Sequence, residues 1–327
     1  MHAVFVAKSL LTVVDGYDVH CANRSAVTPI LVTFQRLLDP FSNSIVPALE
    51  QAYATSDRPV KALILTNPHN PLGQCYPQRV LEECLRFCQR RDLQLISEEV
   101  YALSTFHPSQ SDLPETRQFV SALAIDPIAL GCDPARIQVI WSMSKDLASA
   151  GIKLVTASYM YKLRTFSQAI AELYSITVEP SGSNGVAMAA FMNVSTLSTV
   201  FAAALLSSPS LPMLINLNSV RLSHSYHLLT WFFDRYGIYY MPCNAGHFLM
   251  ARLAPMAETW EDETAMIVRL REIGLLVSPG RIYHFIEKGW ARVSFALEKT
   301  VLEEALRRMH SALKSSASGV IRLPPTN

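Results

Sequence analysis

Short apolar runs, flanked by stretches of helical periodicity, dominate the first half of the chain. Three of these runs are rich in β-branched and aliphatic residues and predict buried strands within residues 60–73, 93–106 and 136–143. Apolar residues recur at helical spacing at residues 45–55 and 77–91, and the second stretch begins with a proline. Strands that alternate with helices in this way predict an α/β fold with an open sheet.

The second half of the chain repeats this pattern with longer helices. An apolar run at residues 154–161 predicts a further strand, and three long helices follow over roughly 162–236. We expect this helical block to cover one face of the sheet and to form a dimer surface. Short strands and helices then alternate, which predicts a smaller α+β domain. The predicted units are a large domain at 1–215, a small domain at 216–314 and a disordered Ser/Pro-rich tail at 315–327.

The composition restricts the partners and the compartment. With 327 residues, of which 50% are hydrophobic, the chain can bury a sizeable core. Its 28 Lys and Arg residues balance 27 Asp and Glu residues, so its charge attracts neither nucleic acid nor an anionic membrane. The six cysteines form no C-x-x-C pair, which argues against a metal site and a disulfide framework and fits a reducing cytoplasm.

One apolar stretch, at residues 196–215, approaches the ~20 residues of a membrane span. It contains several serines and two prolines, Pro209 and Pro212. These interruptions favour a buried helix followed by a turn. We therefore expect no membrane-spanning segment.

The candidate chemistry centres on a lysine that directly follows the strand predicted at 136–143. Lys145 comes after Ser142 and Ser144, and a second cation, Lys153, follows it. A lysine amine can condense with a carbonyl group to form a Schiff base. Two hydroxyls with a cation suit a phosphate dianion. The alternative is an ordinary strand end whose Ser-Lys-Asp sequence forms a solvated turn.

Polar residues also follow the other predicted strands. Asn70 lies in the sequence NPHNPLG, whose two Asn-Pro pairs predict a rigid bend, and Glu98 and Tyr101 end the next strand. Arg292 alternates with apolar residues in WARVSFAL. Open α/β sheets bind ligands at the carboxyl ends of their strands, which makes the residues at these ends candidates for a site. Their structural alternatives are a proline turn, a solvent-exposed strand end and the polar tip of an edge strand. His247, in a strand beside a phenylalanine, is interpreted as a core or rim residue rather than a base.

These segments resemble one known family. The sequence SMSKDLASAGIK is similar to the lysine signature of the class I/II aminotransferases, which are pyridoxal 5′-phosphate enzymes of the aspartate aminotransferase superfamily (fold type I). NPHNPLG, SEEVY, VSPG and GWARVSFAL resemble further signatures of the family, in the same order along the chain. The branch of the family that this chain most resembles contains 1-aminocyclopropane-1-carboxylate synthase and its fungal relatives. The resemblance implies a mostly parallel sheet with helices on both faces, a smaller C-terminal domain and a homodimer.

The resemblance also implies a role for each candidate residue. Lys145 would form a Schiff base with the cofactor and move the proton at the substrate's alpha carbon. Asn70 and Tyr101 would bind the phenolic oxygen of the cofactor, and Arg292 would bind the alpha-carboxylate of the substrate. Glu98 would pair with the pyridine nitrogen, at a position where the family has an aspartate.

Further departures from the family pattern concern the phosphate and the ring of the cofactor. Ser142 and Lys153 would hold the phosphate, and Lys153 stands where the family has an arginine. The stretch Gly16–Val27 resembles an N-terminal motif of the family, so we expect the preceding segment, with its phosphate-binding turn, to be missing from a truncated chain. The aromatic residue that stacks on the cofactor in the family is replaced at residues 12–14.

Three functions stay open from the sequence. The first is transamination of an alpha-amino acid or an amino-acid-derived metabolite. The second is elimination of a β or γ substituent, such as the carbon–sulfur cleavage that some fungal relatives perform in secondary metabolism. The third is a non-catalytic remnant, which the missing phosphate turn and stacking ring favour.

Overall fold

The computed structural model describes residues 2–7, 9–14, 28–33, 41–42, 44–56, 59–108, 117–152, 155–159 and 196–315. Lys153 and the tail predicted beyond residue 315 lie outside these residues. The whole part of the helical block that was predicted at 162–195 lies outside them too.

A seven-stranded sheet forms the centre of the N-terminal part. Its strands are β1 His2–Ala7, β2 Ser9–Val14, β3 Thr28–Thr33, β4 Val60–Thr66, β5 Gln94–Glu98, β6 Ile137–Ser142 and β7 Val155–Tyr159. They are ordered β1-β3-β2-β4-β5-β6-β7, and β1 also pairs with β2 and β4. From β3 through β2, β4 and β5 to β6 each adjacent pair in this order is parallel, whereas β1 is antiparallel to β3 and β7 is antiparallel to β6. The predicted α/β fold with a mostly parallel sheet is confirmed.

Apolar residues at matching positions hold β4, β5 and β6 together. Leu63 pairs with Leu95, Leu95 pairs with Ile137, and all three side chains are fully buried. Because the three strands are parallel and in register, their carboxyl ends lie at one edge of the sheet. Glu98 ends β5 and Ser142 ends β6, so polar residues from distant parts of the sequence meet at this edge.

Two helices, α1 (Ile45–Ala54) and α2 (Gln78–Arg90), pack against each other and against this sheet. Leu49 of α1 and Phe87 of α2 are fully buried in the core that they share with the sheet. Burying each such side chain stabilises the fold by about 1.5–3 kcal/mol. Both helices lie where the sequence predicts them, with Pro77 at the N-cap position of α2.

Turns follow β5, and a short helix follows β6. The strand predicted over 93–106 ends early, at Glu98, and in the turns that follow it the N–H of Ser104 donates to the carbonyl of Tyr101 (3.0 Å). A compact turn can bury apolar side chains as a strand does, so hydrophobicity alone could not place this strand end. Strand β6 runs directly into α3 (Met143–Asp146), a helix of four residues that carries the candidate lysine.

A three-stranded antiparallel sheet forms the core of the C-terminal part. Its strands are β8 Phe248–Arg252, β9 Ser278–Pro279 and β10 Trp290–Ser294, in the order β8-β10-β9. The helices of this half are α4 Thr196–Leu206, α5 Leu211–Arg235, α6 Trp260–Glu272 and α7 Lys299–Ser315. Leu249 and Phe295 are fully buried in one core with Phe233 of α5 and Leu270 of α6. The division into two domains stays a prediction, and α5 runs through residue 215, where the boundary was placed.

Helix α4 and the N-terminal half of α5 differ from the buried helix expected at 196–215. Large apolar side chains are exposed along both: Leu197, Val200, Phe201, Met213, Leu214, Leu217 and Val220. The expectation was based on composition, but what packs over an apolar helix decides whether it is buried. Within the described ranges no single helix is long and apolar enough to cross a membrane; α4 and α5 reach that size only as a pair, bent by 85°.

Candidate active site

Lys145 lies on α3, directly beyond the carboxyl end of β6, and its side chain is exposed. Ser142 caps this helix: its Oγ accepts a hydrogen bond from the N–H of Ser144 (3.1 Å) and donates to the Oγ of Ser144 (2.9 Å). A side-chain cap of this kind satisfies a backbone donor that the first turn leaves unpaired. The lysine is therefore presented from a defined helical turn.

Glu98 faces Lys145 from the end of the neighbouring strand. Its carboxylate accepts a hydrogen bond from Oγ1 of Thr66 at 3.1 Å. Burial raises the pKa of Glu98, while the Thr66 hydrogen bond and the positive charge of Lys145 act in the opposite direction. Because β5 and β6 are parallel neighbours, Glu98 and Lys145 lie at the same edge of the sheet.

Arg292 of β10 reaches across to the turn that follows β4. Its Nη1 donates a hydrogen bond to Oδ1 of Asn70 at 2.8 Å. The guanidinium carbon lies 4.5 Å from the centre of the Phe248 ring and 4.9 Å from that of Tyr283, so two aromatic faces hold the cation. Its Nε is buried without a hydrogen-bond partner. No described carboxylate lies within ion-pair distance of Arg292, which therefore suits an acidic ligand.

The turn that carries Asn70 is fixed against the segment before β8. The carbonyl of Gly73 accepts hydrogen bonds from the N–H groups of Asn244 (2.9 Å) and Ala245 (3.0 Å). Gly73 has a φ of +63°, and a Cβ added to it would lie 2.7 Å from Cβ of Cys243. Only glycine combines this backbone conformation with so close an approach. The last residue of NPHNPLG thus joins the two parts of the chain.

Tyr101 and Phe248 connect the lysine side of the cleft to the arginine side. Tyr101 is buried, and its ring stands edge-to-face against Phe248, with 5.3 Å between the centroids. The same Phe248 ring supports Arg292. His247, the preceding residue, packs edge-to-face on Tyr101 at 5.4 Å. His247 and Phe248, at the start of β8, therefore contact Tyr101 on the lysine side and Arg292 on the other side.

Sequence reasoning missed a buried polar cluster behind the lysine. The Asp146 carboxylate accepts hydrogen bonds from the N–H of Leu103 (3.0 Å), Oγ of Ser104 (2.6 Å) and Nε1 of Trp141 (2.8 Å). The Oγ of Ser104 also lies 3.0 Å from Nε2 of His247. Burial raises the pKa of Asp146 to about 6. Burial and the charge of Lys145 lower the pKa of His247 to about 4. The only signal in the sequence was that Asp146 adjoins the lysine.

Most of the predicted residues thus lie at the carboxyl end of the large sheet or contact residues there. They are Asn70, Glu98, Tyr101, Ser142, Lys145 and Arg292. Lys153 lies outside the described residues, so its placement stays a prediction. Within the described part of the chain, no group of three or more His, Cys, Asp or Glu side chains could hold a metal ion.

The chemistry of this set fits pyridoxal 5′-phosphate. The amine of Lys145 is accessible to an aldehyde, and the carboxylate of Glu98 beside it suits a protonated ring nitrogen. Oδ1 of Asn70 accepts a hydrogen bond from Arg292, and its Nδ2 is a donor of the kind that a phenolic oxygen accepts. An α/β fold with a lysine, a carboxylate and an arginine at the ends of its strands fits the class of enzymes that work through a lysine Schiff base.

Comparison with known proteins gives the family. The model of the aminotransferase class I and II family matches residues 39–309, and the chain belongs to this family. It is 43% identical over 301 residues to the probable aminotransferase aclI of Aspergillus oryzae, covering 91% of this chain and 67% of that protein. It is 38% identical over 276 residues to the trimodular acetylaranotin synthesis protein ataIMG of Aspergillus terreus, covering 84% of this chain and 29% of that protein. It is 31% identical to 1-aminocyclopropane-1-carboxylate synthase 7 of Arabidopsis thaliana, covering 80% and 55%.

Solved structures show the same fold. A mutant of Thermus thermophilus aspartate aminotransferase superposes with a TM-score of 0.62 at 20% identity, covering 82% of this chain and 63% of that one. An aminotransferase from Mycobacterium tuberculosis superposes with a TM-score of 0.62 at 22% identity, covering 81% and 60%. The chain thus spans about two thirds or less of the length of the proteins that it matches. Family and fold together imply dependence on pyridoxal 5′-phosphate.

Proposed function

We propose that this chain acts as a pyridoxal-phosphate-dependent, aminotransferase-like enzyme on an alpha-amino acid or an amino-acid-derived metabolite. The observation that carries the proposal is the hydrogen bond between Arg292 and Asn70. It holds a guanidinium, which suits a substrate carboxylate, beside the amide that would contact the cofactor. The relatives named as aminotransferases support the same reaction class.

In this proposal Lys145 would hold the cofactor, because its amine can form a Schiff base with an aldehyde. The cofactor would supply an electron sink for negative charge at the substrate's alpha carbon. The amine of Lys145 would take the proton from that carbon and return it. The exposure of Lys145 at the end of β6 supports this role, because the amine must reach both cofactor and substrate.

Glu98 keeps the pyridine nitrogen protonated in this proposal. Its burial favours the neutral carboxyl, but contact with a protonated ring nitrogen would favour the carboxylate. Thr66 supports the charged form through its hydrogen bond. Tyr101 is buried. Its hydroxyl would donate a hydrogen bond to the phenolic oxygen of the cofactor, as the amide of Asn70 would.

Arg292 binds the substrate's alpha-carboxylate. The two aromatic faces fix the plane of its guanidinium, so that the planar fork is oriented before the substrate arrives. A bound carboxylate would also give the buried Nε an acceptor that it lacks among the described residues.

The further assignments concern the cofactor phosphate, the compartment and the oligomeric state. Ser142 and Lys153 would hold the cofactor phosphate; the hydroxyl of Ser142 lies at the start of the lysine turn. A cytoplasmic homodimer is proposed as well, and the exposed apolar residues of α4 and α5 supply a surface for it. Light scattering of the purified chain measures the mass, and a monomer at micromolar concentration would contradict the dimer.

Elimination of a β or γ substituent, such as carbon–sulfur cleavage, is the second candidate. The similarity to a protein named for acetylaranotin synthesis favours a reaction of secondary metabolism. The residues assigned above serve both reactions, because each begins with loss of the proton at the alpha carbon. What the substrate carries at its β or γ carbon then decides the outcome.

Two measurements test the proposal. The purified chain is mixed with pyridoxal phosphate and reduced with borohydride, and peptides are analysed by mass spectrometry. We expect the cofactor on Lys145, and no modification at residue 145 in the Lys145→Ala variant. A chain that takes up no cofactor would reject both enzymatic functions and support a non-catalytic remnant.

The loaded protein is then incubated with a panel of amino acids and 2-oxoglutarate. Formation of a keto acid together with glutamate supports transamination. Release of ammonia or a thiol without glutamate would reject transamination and support the elimination reaction.

A further inference from the structure

The polar cluster behind Lys145 links three segments that are distant in the sequence. Asp146, on the helix that carries the lysine, is hydrogen-bonded to Ser104 in the turn after β5. Ser104 in turn contacts His247, at the entrance to β8. Asp146 and Ser104 are both buried. This chain of contacts is a built part of the fold, and none of the roles assigned above uses it.

The direction of each hydrogen bond follows from the number of protons available. An ionised carboxylate only accepts, so the single hydroxyl proton of Ser104 goes to Asp146. The Ser104 oxygen can then only accept from His247, and Nε2 of the imidazole must carry the proton. The ring is thereby held in one neutral tautomer, with its lone pair on Nδ1.

His247 also contacts the lysine side of the site. Its ring packs against Tyr101, and the charge of Lys145 contributes to its lowered pKa. The next residue, Phe248, supports the guanidinium of Arg292. Movement of His247 would therefore displace the lysine side and the arginine side relative to each other.

We propose that His247 is a positioning residue for Lys145, fixed in its Nε2–H tautomer by Ser104 and Asp146. The neutral ring does not repel the amine, and the hydrogen bonds from Asp146 through Ser104 to His247 set the distance of α3 from β8. This inference rests on the proposed function, because the position of Lys145 matters through its attachment of the cofactor.

The tautomer can be observed directly. Long-range ¹H–¹⁵N spectra of the full chain, labelled with ¹⁵N-histidine, are recorded at neutral pH, and the signals that vanish in His247→Gln are those of His247. We expect a single Nε2–H tautomer in the wild type and in Ser104→Thr, which keeps the hydroxyl. Ser104→Ala should give a mixture of tautomers. An Nδ1–H tautomer in the wild type would overturn the proposal.

Positioning is tested by the rate at which Lys145 captures pyridoxal phosphate. Borohydride is added at successive times, and the modified Lys145 peptide is quantified by mass spectrometry. We expect Ser104→Ala and His247→Phe to slow capture by about ten- to a hundredfold, since misplacing a reacting group by about 1 Å can cost about a hundredfold. Ser104→Thr should restore the rate. The double variant Asp146→Asn/His247→Phe should be no slower than the slower single variant, because both break one chain.

Ser97→Ala is the matched control. Ser97 is a buried serine on β5 that donates to another buried carboxylate, Glu99 (2.8 Å), without contact to His247. It should lower thermal stability as Ser104→Ala does and leave capture unchanged. If Ser104→Ala captures the cofactor as fast as Ser97→Ala, the chain is structural only and the inference fails. If the wild type itself captures none, the proposed function fails and takes this inference with it.

Discussion

Arg292 and Asn70 are joined by a hydrogen bond of 2.8 Å although 222 positions separate them in the sequence. One lies on the central strand of the small antiparallel sheet, the other in the turn that ends β4. The bond connects the candidate anchor of the substrate to a candidate contact of the cofactor. Loss of this hydrogen bond should therefore affect the binding of both the substrate and the cofactor.

Asn70→Ala should raise KM for the carboxylate substrate by about tenfold or more, the scale of one hydrogen bond to a charged group. The reason is that Arg292 would lose the acceptor that orients its Nη1. Asn70→Asp should raise KM further, because a carboxylate at this position would compete with the substrate for the guanidinium. Steady-state kinetics of both variants check this. An Asn70→Asp variant with wild-type KM would contradict the role of Arg292.

Arg292→Lys should weaken substrate binding by on the order of ten- to a hundredfold, since an ammonium cannot form the planar two-pronged bond. It also gives up the stacking between Phe248 and Tyr283. Arg281→Lys is the control, because Arg281 is exposed and lies nearby on the loop before β10. Binding of the substrate is measured by titration of the cofactor's absorbance. If Arg292→Lys bound the substrate as tightly as Arg281→Lys, only the charge at position 292 would matter and the planar two-pronged bond would not.

Gly73→Ala should destabilise the fold by more than about 2 kcal/mol, because strain at positive φ adds to overpacking. The new Cβ would meet Cβ of Cys243 at 2.7 Å and the carbonyl of Ala245 at 2.8 Å. Gly131→Ala isolates the strain: Gly131 has a similar φ of +68° and nothing within 4 Å of the added Cβ. That variant should lose only about 1 kcal/mol. Urea denaturation gives both values, and similar losses would contradict the close approach.

The pKa shifts of Asp146 and His247 should make the free energy of unfolding depend on pH in opposite directions. The folded pKa of Asp146 is raised from 3.8 to about 6, so its contribution is present below pH 3.8 and is lost as the pH rises through 6. A shift of this size corresponds to on the order of 3 kcal/mol. The folded pKa of His247 is lowered from 6.5 to about 4, so its contribution is present above pH 6.5 and is lost as the pH falls through 4.

The two single variants should therefore change in opposite directions. Relative to the wild type, the free energy of unfolding of Asp146→Asn should rise between pH 4 and pH 6, and that of His247→Gln should fall. Urea denaturation across this range, in one buffer series of constant ionic strength, measures both. Parallel profiles for the two variants would show that burial does not shift these groups as stated.

The sequence predicted the main elements because their signals are local. The apolar runs of β4 and β6 and the periodicity of α2 are readable within fifteen residues, and each lies where it was predicted. The strand around Glu98 was predicted too long, because the apolar residues after it are buried by a turn. Helix α4 was predicted to be buried and is largely exposed, because composition does not say what packs over a helix.

By itself the sequence determined the fold class, the family and which residue types stand at the strand ends, because periodicity and signature motifs are written in neighbouring positions. Only the tertiary structure decided which of these residues meet. The hydrogen bond from Arg292 to Asn70, and the chain from Asp146 through Ser104 to His247, each join segments that are distant in the sequence. No local pattern encodes such a contact, since it depends on the packing of two sheets around one glycine turn.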